Sequence, residues 1–320
     1  MIQYAEGPSI KICTTISPIY SITADVVSTR EKIAVVQMFP SAKNIEDYKM
    51  GEAEYTYYSN FDLVIINGMG LDNEIAERLK NINPNIKICD ASLGIDPIID
   101  ENGEKNKKIW SSPLNQLIMY QNIANAIMEI DKMPLVVTKE NEQPNEATIK
   151  QNKTITNNNE AIVKEYKTRF LYFEDLLKND ITVEKSIAPK ADLQNLQSNK
   201  EKNKKEAVQG SKEEKTNIDK LQITEETKKE ILDQIKIKTS KKAIVKDDSF
   251  DYLLKDCSIE KAQSKDNSIE IGNYETDSDS TNKCLLKDIA KQEEIMPNTA
   301  EETVKYNMKK LKFYFGENKK

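Results

Sequence analysis

Short unbroken apolar runs alternating with segments of helical spacing limit what the first third of this chain can become. Ile10–Ile16 is β-rich and apolar, and after Ser17-Pro18 the residues Ile19–Val27 recur at helical spacing. Lys32–Phe39 is a second run, ended by Pro40, and Phe61–Ile66 is a third, closing on Asn67-Gly68-Met69-Gly70. A helix over Asp72–Lys80 and a strand over Ile86–Cys89 follow. Strands that are apolar on both faces belong in a parallel sheet covered by helices, and such sheets bind ligands beyond the carboxyl ends of their strands. The loops to watch are therefore 40–60, 67–71 and 91–113.

Pro113–Asp131 is an amphipathic helix with Leu114, Leu117, Ile118, Ile123, Ile127 and Ile130 on its apolar stripe, and Pro134 closes it. The character then changes. Residues 138–160 and 185–219 are rich in Asn, Gln, Lys and Glu, which accounts for a chain only 38% apolar and 31% charged. Both stretches are expected as solvated polar insertions, the second disordered, with a helix over 161–184 between them. Order resumes in 220–320 with a helix over Thr224–Ile235, a strand over Ala243–Val245 before Phe250–Leu254, and a last helix over Glu301–Phe315. The organisation expected is an N-terminal α/β lobe (1–112), a bridging helix (113–137), and a C-terminal α/β lobe (220–320). No period of 20 to 50 residues repeats, so a solenoid is not expected.

Absent chemistry narrows function. The chain has no histidine, which removes imidazole bases, Ser-His-Asp and Cys-His catalysis, and any zinc site with a His ligand. Cys13, Cys89, Cys257 and Cys284 are far apart with no C-x-x-C pair, and their default use is as buried free thiols. A net charge of −6 gives no global field for a phosphate backbone, so no nucleic-acid partner is expected. No run reaches the length of a membrane span, and the start MIQYAEGPS lacks the layout of a signal peptide.

Single motifs are weak. Asn67-Gly68-Met69-Gly70 invites a dinucleotide reading, but Asn73 stands where the third glycine belongs, so a tight strand-to-helix turn is the default. Asp277, Asp279 and Asp288 have partial calcium-loop spacing, with Asn282 where Gly belongs. Asp247 and Asp248 follow a strand, at the end where a ligand would sit, although paired aspartates are commonly helix caps. The stretch Lys200–Lys205 has no interleaved aromatics and reads as solvated tether.

Several blocks together resemble one family, the zinc and manganese solute-binding proteins of ABC importers, of the TroA-like type. Phe61-Asp-Leu-Val-Ile-Ile-Asn-Gly-Met-Gly-Leu-Asp72 is similar to that family's ADLVxxNGxGLE block, and Lys87-Ile-Cys-Asp-Ala-Ser-Leu-Gly-Ile95 to the strand after it. Ile109-Trp110-Ser-Ser-Pro113 sits where the family has DPHxWxDP. Val245-Lys-Asp-Asp-Ser-Phe-Asp-Tyr252 resembles VxxHxAFxYL, and Val304–Leu311 resembles the terminal MxxNLxxL helix. The resemblance implies two α/β lobes with parallel sheets bridged by a long helix. It also implies a non-enzymatic monomer that carries a divalent metal, Mn²⁺ or Zn²⁺, to an ABC importer permease from a periplasmic or membrane-anchored position.

The resemblance places this chain's departures as well. Where the family's first His stands, this chain has Ile45 or, with a one-residue slip, Glu46; at the second it has Lys108, and at the third Asp247. The late acidic ligand has no secure counterpart, Glu293 and Glu294 lying in a shortened stretch. Carboxylates match a harder ion such as Mn²⁺ better than Zn²⁺. Either Glu46 and Asp247 hold such an ion, or the metal site has decayed with Lys108 pairing Asp247. The competing class is an interaction protein that kept the scaffold and uses its polar insertions as binding segments.

Overall fold

The computed structural model describes residues 9–39, 45, 48–137, 144–179, 220–246, 248–263, 266–272, 282–289 and 299–316. Glu46, Asp247, Glu293, Glu294, Asp277, Asp279 and the stretch 185–219 lie outside the described residues.

Two parallel sheets carry the fold. The first has the order β2-β1-β3-β4, from β1 (Ile10–Thr14), β2 (Ile33–Gln37), β3 (Leu63–Ile66) and β4 (Lys87–Asp90), all pairs parallel. Every residue of β3 is buried, which is why its sequence is an unbroken apolar run. The helices between these strands are α1 (Ser17–Val27), α2 (Glu52–Tyr58) and α3 (Asn73–Ile82). The second sheet has the order β5-β6-β7, from β5 (Lys242–Val245), β6 (Ser268–Gly272) and β7 (Lys283–Leu285), again parallel. This is the two-sheet α/β architecture expected from the sequence.

Helix α4 (Pro113–Asp131) starts on a Ser112 cap, whose Oγ accepts from Asn115 N, and on Pro113 at its first position. Its stripe residues Leu117, Ile118, Ile123 and Ile127 are buried as the spacing requires, but so are Met119, Tyr120, Ala124 and Met128. The helix is covered on more than one side because α1 and β4 pack on it along with elements that follow it in sequence. One of these is α5 (Glu146–Lys178), whose Phe173 stacks on Tyr120 with centroids 5.4 Å apart. The others are α6 (Glu225–Ile235) and α7 (Asp251–Asp256), and the last described helix is α8 (Ala300–Phe315). One buried cluster runs through both sheets, and a second, with Cys13, Phe39, Phe61 and Leu79, covers the other face of the first sheet.

Three features differ from the expectation. The stretch 144–160, read as solvated, is helical from Glu146 on and continuous with the helix expected over 161–184. It is mostly exposed, so composition reports its solvation but not its helicity. Asn152 and Asn159 explain what holds it: each bonds both ways to an extended backbone, Asn152 to Val136 and Asn159 to Met133. Helix α2 and strands β6 and β7 are additions, too short or too polar to register as periodic runs.

Candidate functional site

The loops at the carboxyl ends of β4 and β5, and the residues just after β7, meet at one place. After β4 the chain runs through 91–112, and a 3₁₀ turn at Ile109–Ser111 leads into α4. After β5 a 3₁₀ turn at Asp248–Phe250 leads into α7. Four side chains fasten the two loops. Tyr252 Oη accepts from Ile98 N at 3.0 Å and donates to Asn106 O at 3.1 Å. Asn106 Nδ2 donates to Asp248 O at 2.9 Å. Trp110 Nε1 donates to Asp288 Oδ1 at 3.2 Å, just past β7. Ser112 Oγ donates to Asp256 on α7.

Lys108 stands at the centre of this junction. Its Nζ lies 2.8 Å from Asp248 Oδ1 and donates to Ser249 Oγ at 3.0 Å. The two charged side chains are 33% and 50% exposed, so solvent reaches the pair. Asp247, the partner expected for Lys108, lies outside the described residues; among these, the carboxylate that meets Lys108 is Asp248.

The turn after β3 is structural, as its default reading had it. Gly68, Met69 and Gly70 all have positive φ, at 79°, 54° and 86°. A Cβ on Gly68 would lie 2.0 Å from Asp90 Oδ1 and 2.4 Å from Ser92 Oγ, so only glycine fits. Asp72 closes the same turn, accepting from Thr15 Oγ1 at 2.6 Å, Asn67 N at 2.7 Å and Gly68 N at 2.8 Å. Burial pushes the Asp72 carboxyl up to about 6 against the pull of those three donors. Burial also raises Asp256 to about 6, with the Ser112 hydroxyl opposing.

Of the residues named from the sequence, Lys108 is at the junction, while Glu46 and Asp247 lie outside the described residues. Ile45, the alternative to Glu46, packs on the apolar cluster around Phe39 and is thereby occupied. Asp288, the last position of the calcium-like spacing, is engaged by Trp110. No group of three or more Cys, Asp or Glu among the described residues is arranged to hold a metal ion. Asp248, placed from the sequence at the end of a strand where a ligand would sit, is at the junction, while Ser249, Asn106 and Tyr252 are participants to which motif reading gave no role. Their bonds join segments some 140 residues apart, for which local spacing carries no signal.

A family model described as "ZnuA: Zinc-uptake complex component A periplasmic" matches residues 12–179. Among solved structures, this chain is similar to a periplasmic metal binding protein from candidatus liberibacter asiaticus at 14% identity, covering 96% of this chain and 99% of that one with a TM-score of 0.54. The Cd-bound form of that protein is matched at 14% identity over 95% and 98%, with a TM-score of 0.53. A Mn-bound mutant form is matched at 14% identity over 96% and 100%, with a TM-score of 0.54. At such identities the likeness bears on the fold, a TroA-like solute-binding architecture.

Proposed function

This chain belongs to the ZnuA family, the metal-binding solute-binding components of ABC importers, and from that premise we propose that it is a receptor whose metal site has been rebuilt without imidazole. The observation that carries the reading is the Lys108–Asp248 pair at 2.8 Å. Where the family resemblance puts a histidine, this chain has a cation already engaged with the neighbouring carboxylate. A cation at a ligand position repels a divalent ion, so the remaining donors must lie elsewhere.

Those donors are the carboxylates of Glu46 and Asp247, with carbonyl or water oxygens completing the set. Oxygen-only coordination suits Mn²⁺ and holds Zn²⁺ poorly. The lobes are residues 1–112 and 220–320, with 113–137 bridging them, and the receptor delivers its ion to a permease from the periplasmic side. Binding and release suffice for this role, and no catalytic step is assigned. Support for the lobes comes from the junction itself, where the carboxyl ends of strands from both sheets converge.

Elemental analysis of the purified, desalted protein in Mn²⁺-supplemented buffer tests the reading. Retained manganese in stoichiometric amount, with zinc below it, supports the rebuilt site. Tightly retained zinc would show that the ligand assignment is mistaken, and the absence of either metal would leave a receptor fold without this cargo.

A further inference from the structure

Several lysines gather on α8 and beside it. Lys309 is exposed, and Lys310 Nζ lies 5.7 Å from the Tyr306 ring centroid and 6.0 Å from that of Tyr314. Lys287 Nζ caps the Tyr306 ring at 4.5 Å, and Lys241 Nζ donates to Tyr314 O at 2.8 Å. No carboxylate among the described residues forms an ion pair with Lys241, Lys287, Lys309 or Lys310. Phe313 stands among them, 72% exposed, with its ring set edge-on to Tyr314 at 5.0 Å.

A cleft of about 210 Å³ opens beside Phe313, lined also by Lys241, Asn267, Ser268 and Asn282. It lies at the amino ends of β5 and β6, where Lys242 pairs with Ser268, and thus at the opposite end of the sheet from the junction at Lys108. Ser268 is buried and its Oγ has no hydrogen-bond partner among the described residues. A buried hydroxyl without a partner is costly, and a ligand oxygen would satisfy it.

We propose that this face docks on an anionic phospholipid surface, with lysines 241, 309 and 310 against the headgroups, Phe313 at the interface, and a headgroup phosphate in the cleft at Ser268. Lysines around one exposed aromatic on the outer face of a helix are the arrangement that binds acidic bilayers. A single-stranded polynucleotide would instead want rings presented flat along a groove. The proposal is independent of which metal the receptor carries, because none of Lys241, Lys309, Lys310 and Phe313 takes part in the bonds at the junction.

The test is co-sedimentation of the full chain with vesicles of phosphatidylcholine alone and of phosphatidylcholine containing phosphatidylglycerol. Binding is expected only to the second, and should be lost near 1 M salt, where the screening length falls to roughly 3 Å. The double variant Lys309→Glu/Lys310→Glu should weaken it by roughly 30-fold or more, and Phe313→Ser should weaken it separately, each while circular dichroism shows the chain still folded. No binding to the acidic vesicles, equal binding to both kinds, binding unaltered by the variants, or binding only to a polynucleotide would each overturn the proposal.

Discussion

The Nζ of Lys108, on the loop after β4, lies 2.8 Å from Oδ1 of Asp248, on the turn after β5, and joins the carboxyl ends of strands from two different sheets. The pair is open to solvent, so its own contribution to folding is small, on the order of 0–1 kcal/mol. Lys108→Gln should therefore move the denaturation midpoint little. The same change removes a cation from the proposed metal position, and the apparent affinity for Mn²⁺ should rise by about tenfold or more. A Mn²⁺ titration of both proteins by calorimetry checks this; equal affinities would mean that Lys108 does not face the ion.

Gly68 holds φ = 79° and has no room for a side chain against Asp90 and Ser92. Gly68→Ala should destabilise the protein by about 2–4 kcal/mol, combining backbone strain with a steric clash. Urea unfolding reads the loss. Gly70 also has positive φ, but a Cβ there would meet nothing within 4 Å, so Gly70→Ala should cost clearly less.

Asn152 and Asn159 are seven residues apart, about 10.5 Å along the helix, and their backbone partners Val136 and Met133 are three residues apart, about 10 Å of extended chain. The match lets one helix face pin an extended segment through paired hydrogen bonds. Asn152→Ala should cost about 1–2 kcal/mol locally and raise the exchange rate of the Val136 amide, while leaving that of Met133 protected. Hydrogen exchange resolves the two.

Three carboxyls make stability depend on pH. Burial drives Asp25 up to about 7 against the Arg169 guanidinium, with Glu301 adding to the rise, while backbone N–H groups of Ala300 and Glu301 lower it. Asp72 and Asp256 rise to about 6. The unfolded chain releases these protons near the ordinary value of about 3.9, so the folded state holds them over a range where the unfolded state does not. Their stabilising contribution is complete below about pH 4 and is lost as pH rises through 6 to 7. Between about pH 5 and pH 8 the denaturation midpoint should fall, and Asp25→Asn should flatten the upper part of that slope. A midpoint that rises steadily across this window would contradict the assignment.

The alternation of apolar runs made the first sheet legible, because β3 is buried at every residue and β1 and β2 are mostly apolar, so short apolar runs mark them. Strands β6 and β7 were not, since Ser268–Gly272 mixes Ser, Glu and Gly and Lys283–Leu285 is three residues long. The cysteines are buried free thiols, as their spacing implied, and burial raises all of them, Cys89 and Cys284 to about 12. That Asp248 meets Lys108 was not legible. It depends on how the turn at Asp248–Phe250 is placed against Asn106 and Tyr252, which is decided by tertiary contacts rather than by neighbours in sequence.

The central claim is that this receptor binds a hard divalent ion through oxygen ligands that include Asp247. Its most direct test is the melting temperature under Mn²⁺ and Zn²⁺ titration, because an ion bound only by the folded state must raise it. The account predicts a saturable rise with Mn²⁺, a smaller one with Zn²⁺, and loss of the Mn²⁺ effect in Asp247→Ala. A larger response to Zn²⁺ than to Mn²⁺, or a Mn²⁺ response that survives Asp247→Ala, would contradict it.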